Sequence, residues 1–152
     1  MADARALALD RVLKAPRAAI WRCWSEPALL ERWFCPSPWR CARAEIELRA
    51  GGRFRTAMNG PNGEEIDSTG VFLEIAPGER LVFTDAYVEA WEPSPKPFMT
   101  ATIALADAPG GTRSLARAAH WREEDRKAHE ATGFREGWGK CADQLEKLGA
   151  SL

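Results

Sequence analysis

The chain has 152 residues, 45% of them hydrophobic and 28% charged, with 21 basic against 22 acidic side chains and a formal net charge of -1. This ordinary globular composition excludes disorder, and the balanced charge leaves no electrostatic footprint for nucleic acid or an anionic membrane surface. The length suits one domain over residues 1–152, able to bury roughly 70% of the surface its unfolded chain would expose.

In chain order, Leu7, Leu9 and Leu13 alternate with small or polar neighbours and predict an opening strand. Pro16 breaks it and suits the first turn of a helix, where a missing N–H costs nothing. Ile20, Trp21 and Trp24 then recur at helical spacing, Ser25-Glu26-Pro27 interrupts, and Leu29, Leu30, Trp33 and Phe34 predict a second short helix. From about Cys41 the texture changes to strands. Ile46 and Leu48 alternate with Glu45 and Glu47, Gly51-Gly52 supplies a turn, and Phe54 lies in the next strand. Asn59-Gly60-Pro61-Asn62-Gly63 is the clearest turn signal, because Gly and Asn tolerate positive φ and Pro fixes its own. Strands through Val71–Ile75 and Leu81–Phe83 follow, with Tyr87 and Val88 beyond them. Three prolines in Pro93–Pro97 predict a loop, since they cannot donate ladder bonds. Two further strands, about Phe98–Leu105 and Arg113–Trp121, flank Pro109-Gly110-Gly111.

The last thirty residues return to helical period. Phe134, Trp138, Cys141, Leu145 and Leu148 form one stripe, acidic Glu123, Glu124 and Asp125 crowd the start, and Gly149 is read as a C-cap. Strands joined by short turns must be antiparallel neighbours, and six or seven of them tend to curl. The predicted class is therefore α+β: a curved antiparallel sheet of six to seven strands around a long C-terminal helix, with two short helices after the first strand.

Several segments together resemble the activator of heat-shock-protein-90 ATPase homologue group within the START-like, or polyketide cyclase-like (SRPBCC), superfamily. They are Ala15-Pro16-Arg17-Ala18-Ala19-Ile20-Trp21, Glu26-Pro27 through Glu31-Arg32-Trp33, Glu47-Leu48-Arg49-Ala50-Gly51-Gly52-Arg53-Phe54, Gly60-Pro61-Asn62-Gly63, Gly70-Val71-Phe72-Leu73-Glu74-Ile75, Glu79-Arg80-Leu81-Val82-Phe83-Thr84, and Gly137-Trp138 with Leu145. The resemblance spans nearly the whole chain in order and implies the helix-grip fold, with a cavity between sheet and long helix. The sequence departs from the commoner pattern at Glu47, where an Asp is usual, and in the small residues of Arg113–Trp121. The superfamily holds lipid carriers, cyclases, receptors and co-chaperone domains, so the fold does not choose among activities.

Seven tryptophans stand against one tyrosine, and a large apolar face with one N–H donor suits both cores and pocket walls. A ligand-binding pocket lined by Trp33, Phe54, Phe72, Phe83, Phe98, Trp121, Phe134 and Trp138 is expected; for each residue the competing reading is packed core. Gly133, Gly137 and Gly139 each cost about 1 kcal/mol relative to Ala in a helix interior, which close approach, ligand room or a kink would explain. No GxSxG, HExxH or GxGxxG segment exists, and no catalytic residue is assigned. His120, Arg117 and Asp85 are weak candidates, with His120 more readily a solvated or helix-entry residue and His129 a surface one.

Cys23, Cys35, Cys41 and Cys141 lack CxxC spacing and are read as free thiols in a reducing cytoplasm. No cofactor or metal is called for. The opening Met1–Arg5 lacks leader features, and no segment approaches the ~20 apolar residues needed to cross a bilayer. The expected partner is a small hydrophobic molecule, without nucleic acid or membrane insertion. A cyclase- or hydrolase-type enzyme, a chaperone ATPase-stimulating domain and a homodimer stay open.

Overall fold

The computed structural model describes residues 3–152; Met1 and Ala2, part of the opening read for a leader, lie outside them. The chain runs β1 (Ala6–Leu13), α1 (Arg17–Ser25), α2 (Pro27–Leu30), β2 (Arg40–Ile46), β3 (Arg53–Asn59), β4 (Glu65–Ala76) and β5 (Arg80–Thr84). A two-stranded ribbon follows, β6 (Tyr87–Glu89) with β7 (Glu92–Pro93), then β8 (Thr100–Ala108), β9 (Gly111–Ala119), α3 (Glu123–Ala131) and α4 (Phe134–Ser151). The other seven strands form one antiparallel sheet in the order β1-β9-β8-β5-β4-β3-β2. This is the α+β helix-grip architecture predicted from the sequence.

The ladders explain the alternation. In β9 Thr112, Ser114, Ala116 and Ala118 face inward while Arg113 is exposed and Leu115 and Arg117 point the same way, the period-2 signature of a sheet with one covered face. Two register slips bend the sheet, one between Cys41 and Arg43 on β2 and one between Phe72 and Glu74 on β4, each adding local twist. The ladder from β3 to β4 turns at Gly60–Glu64 as the Asn-Gly-Pro-Asn-Gly cluster predicts. Gly70 is required by close approach: a Cβ there would stand 2.4 Å from the Thr84 carbonyl oxygen.

α1 and α2 cross from β1 at one sheet edge to β2 at the other and close one end of the hollow. Ile20, Cys23, Trp24, Leu30 and Trp33 join Phe54, Phe72, Leu81, Leu145 and Leu148 in the main core. Gln144 of α4 ties the chain after α2 in place. Its Nε2 donates to the Trp33 and Cys35 carbonyls at 2.9 and 2.8 Å, and its Oε1 accepts the Ser37 N–H at 3.0 Å.

Three details differ from the sequence reading. The C-terminal helix is two helices, divided at Gly133, whose φ of 106° belongs to the left-handed region that favours glycine. The apolar stripe belongs to α4 alone, and α3 buries none of its side chains fully. Gly149 is no cap. It lies inside α4 and is buried, and a Cβ there would stand 2.7 Å from Ile20 Cδ1 and 3.1 Å from Ala15 Cβ. It lets the helix press onto α1.

The third difference concerns the histidines. His120 is 3% exposed rather than solvated, and His129 is partly buried against Phe98, Phe134 and Trp138. His120 Nδ1 lies 2.9 Å from the Arg5 carbonyl oxygen and its Nε2 2.8 Å from His129 Nδ1. A carbonyl can only accept, so His120 Nδ1 carries the hydrogen; its Nε2 then accepts from His129 Nδ1–H. This chain of hydrogen bonds suits two neutral rings, and it docks α3, with help from Arg126 Nε donating to the Ala4 carbonyl. Burial, and secondarily the proximity of His120, push the His129 pKa down from 6.5 to about 4.

Three predictions follow from this packing. Gly149→Val should destabilise the chain by about 1–3 kcal/mol through overpacking on Ile20. By contrast Gly139→Ala, where a Cβ meets nothing within 4 Å, should stabilise it by up to about 1 kcal/mol; urea unfolding measures both. Between the ordinary histidine value of 6.5 and about 4 the unfolded chain takes up a proton that His129 refuses, so stability conferred by the neutral ring is present above that window and lost as pH falls through it. Unfolding at pH 7.5 and pH 4 should show wild type losing about 2 kcal/mol more than His129→Gln, an amount discounted from the full shift because the ring is only partly buried.

Candidate functional site

Between the concave sheet face and α4 lies a cavity of about 380 Å³. Its floor is inward-facing strand positions: Leu9 and Arg11 of β1, Phe54, Thr56 and Met58 of β3, Ser68 and Gly70 of β4, Phe83 of β5, Ile103 of β8, and Ser114 and Ala116 of β9. Gly137, Trp138, Cys141 and Leu145 of α4 form the roof. Trp24, Trp33 and Phe34 from the α1–α2 region make one wall, and Asp85, Phe98 and Met99 close the other end.

The aromatic walls brace one another. Trp24 meets Trp33 edge to face at 4.7 Å between centroids, Phe34 meets Phe54 at 5.6 Å, and Phe54 meets Phe83 at 4.9 Å. Such pairs add roughly 0.5–1.5 kcal/mol each beyond burial and hold rings in one orientation. Trp33 Nε1 donates to the Cys23 carbonyl at 2.9 Å, which fixes the ring over the hollow. Trp24 Nε1 is buried with no acceptor among the described residues.

Of the eight aromatic positions expected to surround a pocket, Trp33, Phe54, Phe83, Phe98 and Trp138 line this cavity. Three do not. Phe72 is 1% exposed and stacks on Phe54 at 4.9 Å, inside the main core. Phe134, also 1% exposed, packs with Leu7 and Ala118 in a separate apolar cluster beneath Trp138. Trp121 is 47% exposed. β9 stops at Ala119, His120 turns inward to the Arg5 carbonyl, and the next side chain is left outside.

The polar candidates do not converge. Arg117 lies on the convex face, where its guanidinium reaches Asp3 at 3.0 Å. His120 is engaged by Arg5 and His129, away from the cavity lining. Asp85 alone lines the cavity, and its Oδ1 accepts the backbone N–H groups of Phe98 and Met99 at 2.8 and 3.0 Å. That carboxylate therefore shapes the turn carrying Phe98 into the wall. No three His, Cys, Asp or Glu side chains among the described residues are grouped to hold a metal ion.

The thiols are unpaired as cysteines. Burial pushes Cys23 up to about 11 and Cys141 up to about 12, leaving them protonated and unreactive near neutrality. A hydrogen bond between Cys35 and Cys41 raises the first and lowers the second.

The eight expected positions left out the lining aromatics Trp24 and Phe34, and among the polar lining residues Arg11, Thr56, Ser68 and Ser114 on the strands were missed as well. The only signal of these four was period-2 alternation, which puts Arg11 on the same face as Leu7, Leu9 and Leu13, and Thr56 between Phe54 and Met58.

Comparison with known proteins agrees with this architecture. Residues 14–150 match the family described as activator of Hsp90 ATPase homolog 1-like protein. A crystal structure of a protein from Nitrosomonas europaea shares 40% identity over 97% of this chain and 96% of its own, with a TM-score of 0.93. One from Rhodobacter sphaeroides shares 25% identity over 99% and 95%, with a TM-score of 0.84. The solution structure of an AHSA1-like protein from Aeromonas hydrophila, 20% identical over 94% and 90% with a TM-score of 0.73, shares the fold. No curated protein matches the chain. No helix among the described residues is long and apolar enough to cross a membrane. With the family model matching residues 14–150 and a relative 40% identical over nearly the whole of both chains, the chain belongs to the activator of Hsp90 ATPase homolog 1-like family.

Proposed function

We propose that the chain binds a small, mostly apolar molecule in the cavity between the sheet and α4. The observation that carries this reading is the hollow itself. A close-packed interior ordinarily leaves few voids larger than a water molecule, yet about 380 Å³ stands open under α4, within the range of about 300–1,000 Å³ typical of small-molecule sites. Its lining is dominated by aromatic and aliphatic side chains, with a few hydroxyls among them.

Gly137 supports the reading from the energetic side. It lines the roof, and a Cβ there would meet nothing within 4 Å. Glycine at a helix interior costs about 1 kcal/mol relative to alanine, and no close contact at this position requires it. A larger side chain here would project from the roof into the hollow and take up its volume.

A titration following tryptophan fluorescence should test the proposal, because Trp33 and Trp138 face the hollow. A panel of aromatic polyketides, sterols and medium-chain lipids is expected to quench or shift emission saturably. Gly137→Leu, which projects four carbons into the roof, should weaken binding at least tenfold while leaving the melting temperature equal or higher. Silence across the whole panel would count against a small-molecule site, as would unaltered binding by Gly137→Leu.

A further inference from the structure

The charged groups of the cavity are unequally placed. Arg11 is its sole cationic lining residue and Asp85 its sole anionic one among the described residues. Arg11 is committed elsewhere: one guanidinium nitrogen, Nη2, reaches Asp143 at 2.8 Å and Glu146 at 3.9 Å, and Nη1 donates to the Gly139 carbonyl at 3.3 Å. All three partners belong to α4, and the two carboxylates neutralise the guanidinium. β1 and β5 are three places apart in the sheet order, about 14 Å at ordinary strand spacing, so Arg11 is remote from the end closed by Asp85.

Asp85 has spare capacity. Both of its protein hydrogen bonds go to Oδ1, from the N–H groups of Phe98 and Met99; no donor or cation among the described residues reaches Oδ2. An ionised carboxylate offers about four acceptor sites over its two oxygens, so one oxygen is left to meet something else. Gly70 lets β4 approach this corner closely, since a Cβ there would lie 3.5 Å from Asp85 Cα and 2.4 Å from the Thr84 oxygen. Thr84 itself is saturated, donating to the Met99 carbonyl and accepting from Ala86 and Thr100. Asp85 Oδ2 is therefore the uncommitted oxygen of the one carboxylate in the lining.

We infer that the cavity selects apolar molecules carrying a hydrogen-bond donor, a hydroxyl or an ammonium group, and disfavours carboxylates, with Asp85 Oδ2 as the group that reads the donor. The inference rests on the cavity being a ligand site, as proposed above. A donor placed at Oδ2 gains a charge-assisted hydrogen bond in an apolar surround. An anionic ligand instead meets a like charge at that end, and it finds the one guanidinium already paired and the unpartnered Trp24 Nε1 buried out of its reach, so its desolvation is not repaid.

Calorimetric titration at pH 7.5 with four congeners decides this: 2-methylnaphthalene, 2-naphthol, 2-naphthoate and naphthylmethylammonium. The first should bind, showing that the apolar cavity accepts the ring system. Naphthol, the ammonium or both should bind about tenfold or more tighter than the hydrocarbon, and whichever is tighter identifies the preferred donor. Naphthoate should bind at least tenfold more weakly than naphthol. Asp85→Asn keeps an acceptor for Phe98 and Met99 and presents an amide donor in place of Oδ2, so it should erase the donor preference and narrow or invert the naphthol-to-naphthoate ratio. Should that variant fail to fold, the wild-type series still decides. Equal affinity of all four congeners overturns the selection while leaving the cavity as a binding site; no heat from any of them overturns the binding site and the selection together.

Discussion

α4 is fixed along its length against the rest of the chain, and the remaining architecture follows from that. At the C-terminal end Gly149 removes the side chain that would hold the helix away from Ile20 and Ala15. At the N-terminal end Phe134 seats against Leu7 and Ala118. Between these anchors the facing surfaces carry small groups, Ser114 and Ala116 on the sheet and Gly137 and Ala142 on the helix, and a hollow remains where larger side chains would have met. The helix cannot sink into it, because both anchors are already in contact and Gln144 is bonded to the chain after α2.

The walls answer to the same constraint. Trp24, Trp33, Phe34, Phe54 and Phe83 pack edge to face, so each ring is supported by its neighbours and not by whatever occupies the space between. A cavity lined by flexible side chains would collapse inward to recover lost dispersion contacts. Mutually braced aromatic rings have few rotamers and little freedom to do so. Persistence of the empty volume is thus a property of the lining as much as of the backbone.

Much of this was readable from residue pattern. Alternation of Leu7, Leu9 and Leu13 and of Ile46 with its acidic neighbours, the Gly60–Gly63 turn and the stripe on α4 located the layers. What escaped had no local signature. The break at Gly133 was hidden because the apolar stripe begins only at Phe134, and the charged run before it has helical character of its own. Gly149 resembles a terminating glycine in sequence, and only the position of Ile20 shows that it serves close approach. His120 and His129 are nine residues apart across a turn, a separation no helical or strand period connects, so their hydrogen bond depends on how α3 is laid against Arg5. Trp121 illustrates the converse error: an aromatic at the end of an alternating run loses its face assignment once the strand has ended.

The slip in register on β2 also bears on the company the molecule keeps. An open sheet has two free margins, each a row of amide groups able to recruit a further strand from another chain. Here one margin, β1, is guarded by α4, with the Lys14 N–H taken by Glu146 and the Ala8 carbonyl approached by Arg135. The other, β2, is bent between Cys41 and Arg43 and bears Arg40, Arg43 and Glu45 along its short length. Neither border offers a long, flat, uncharged template, so the open form of the sheet need not make the protein prone to fibrous self-assembly.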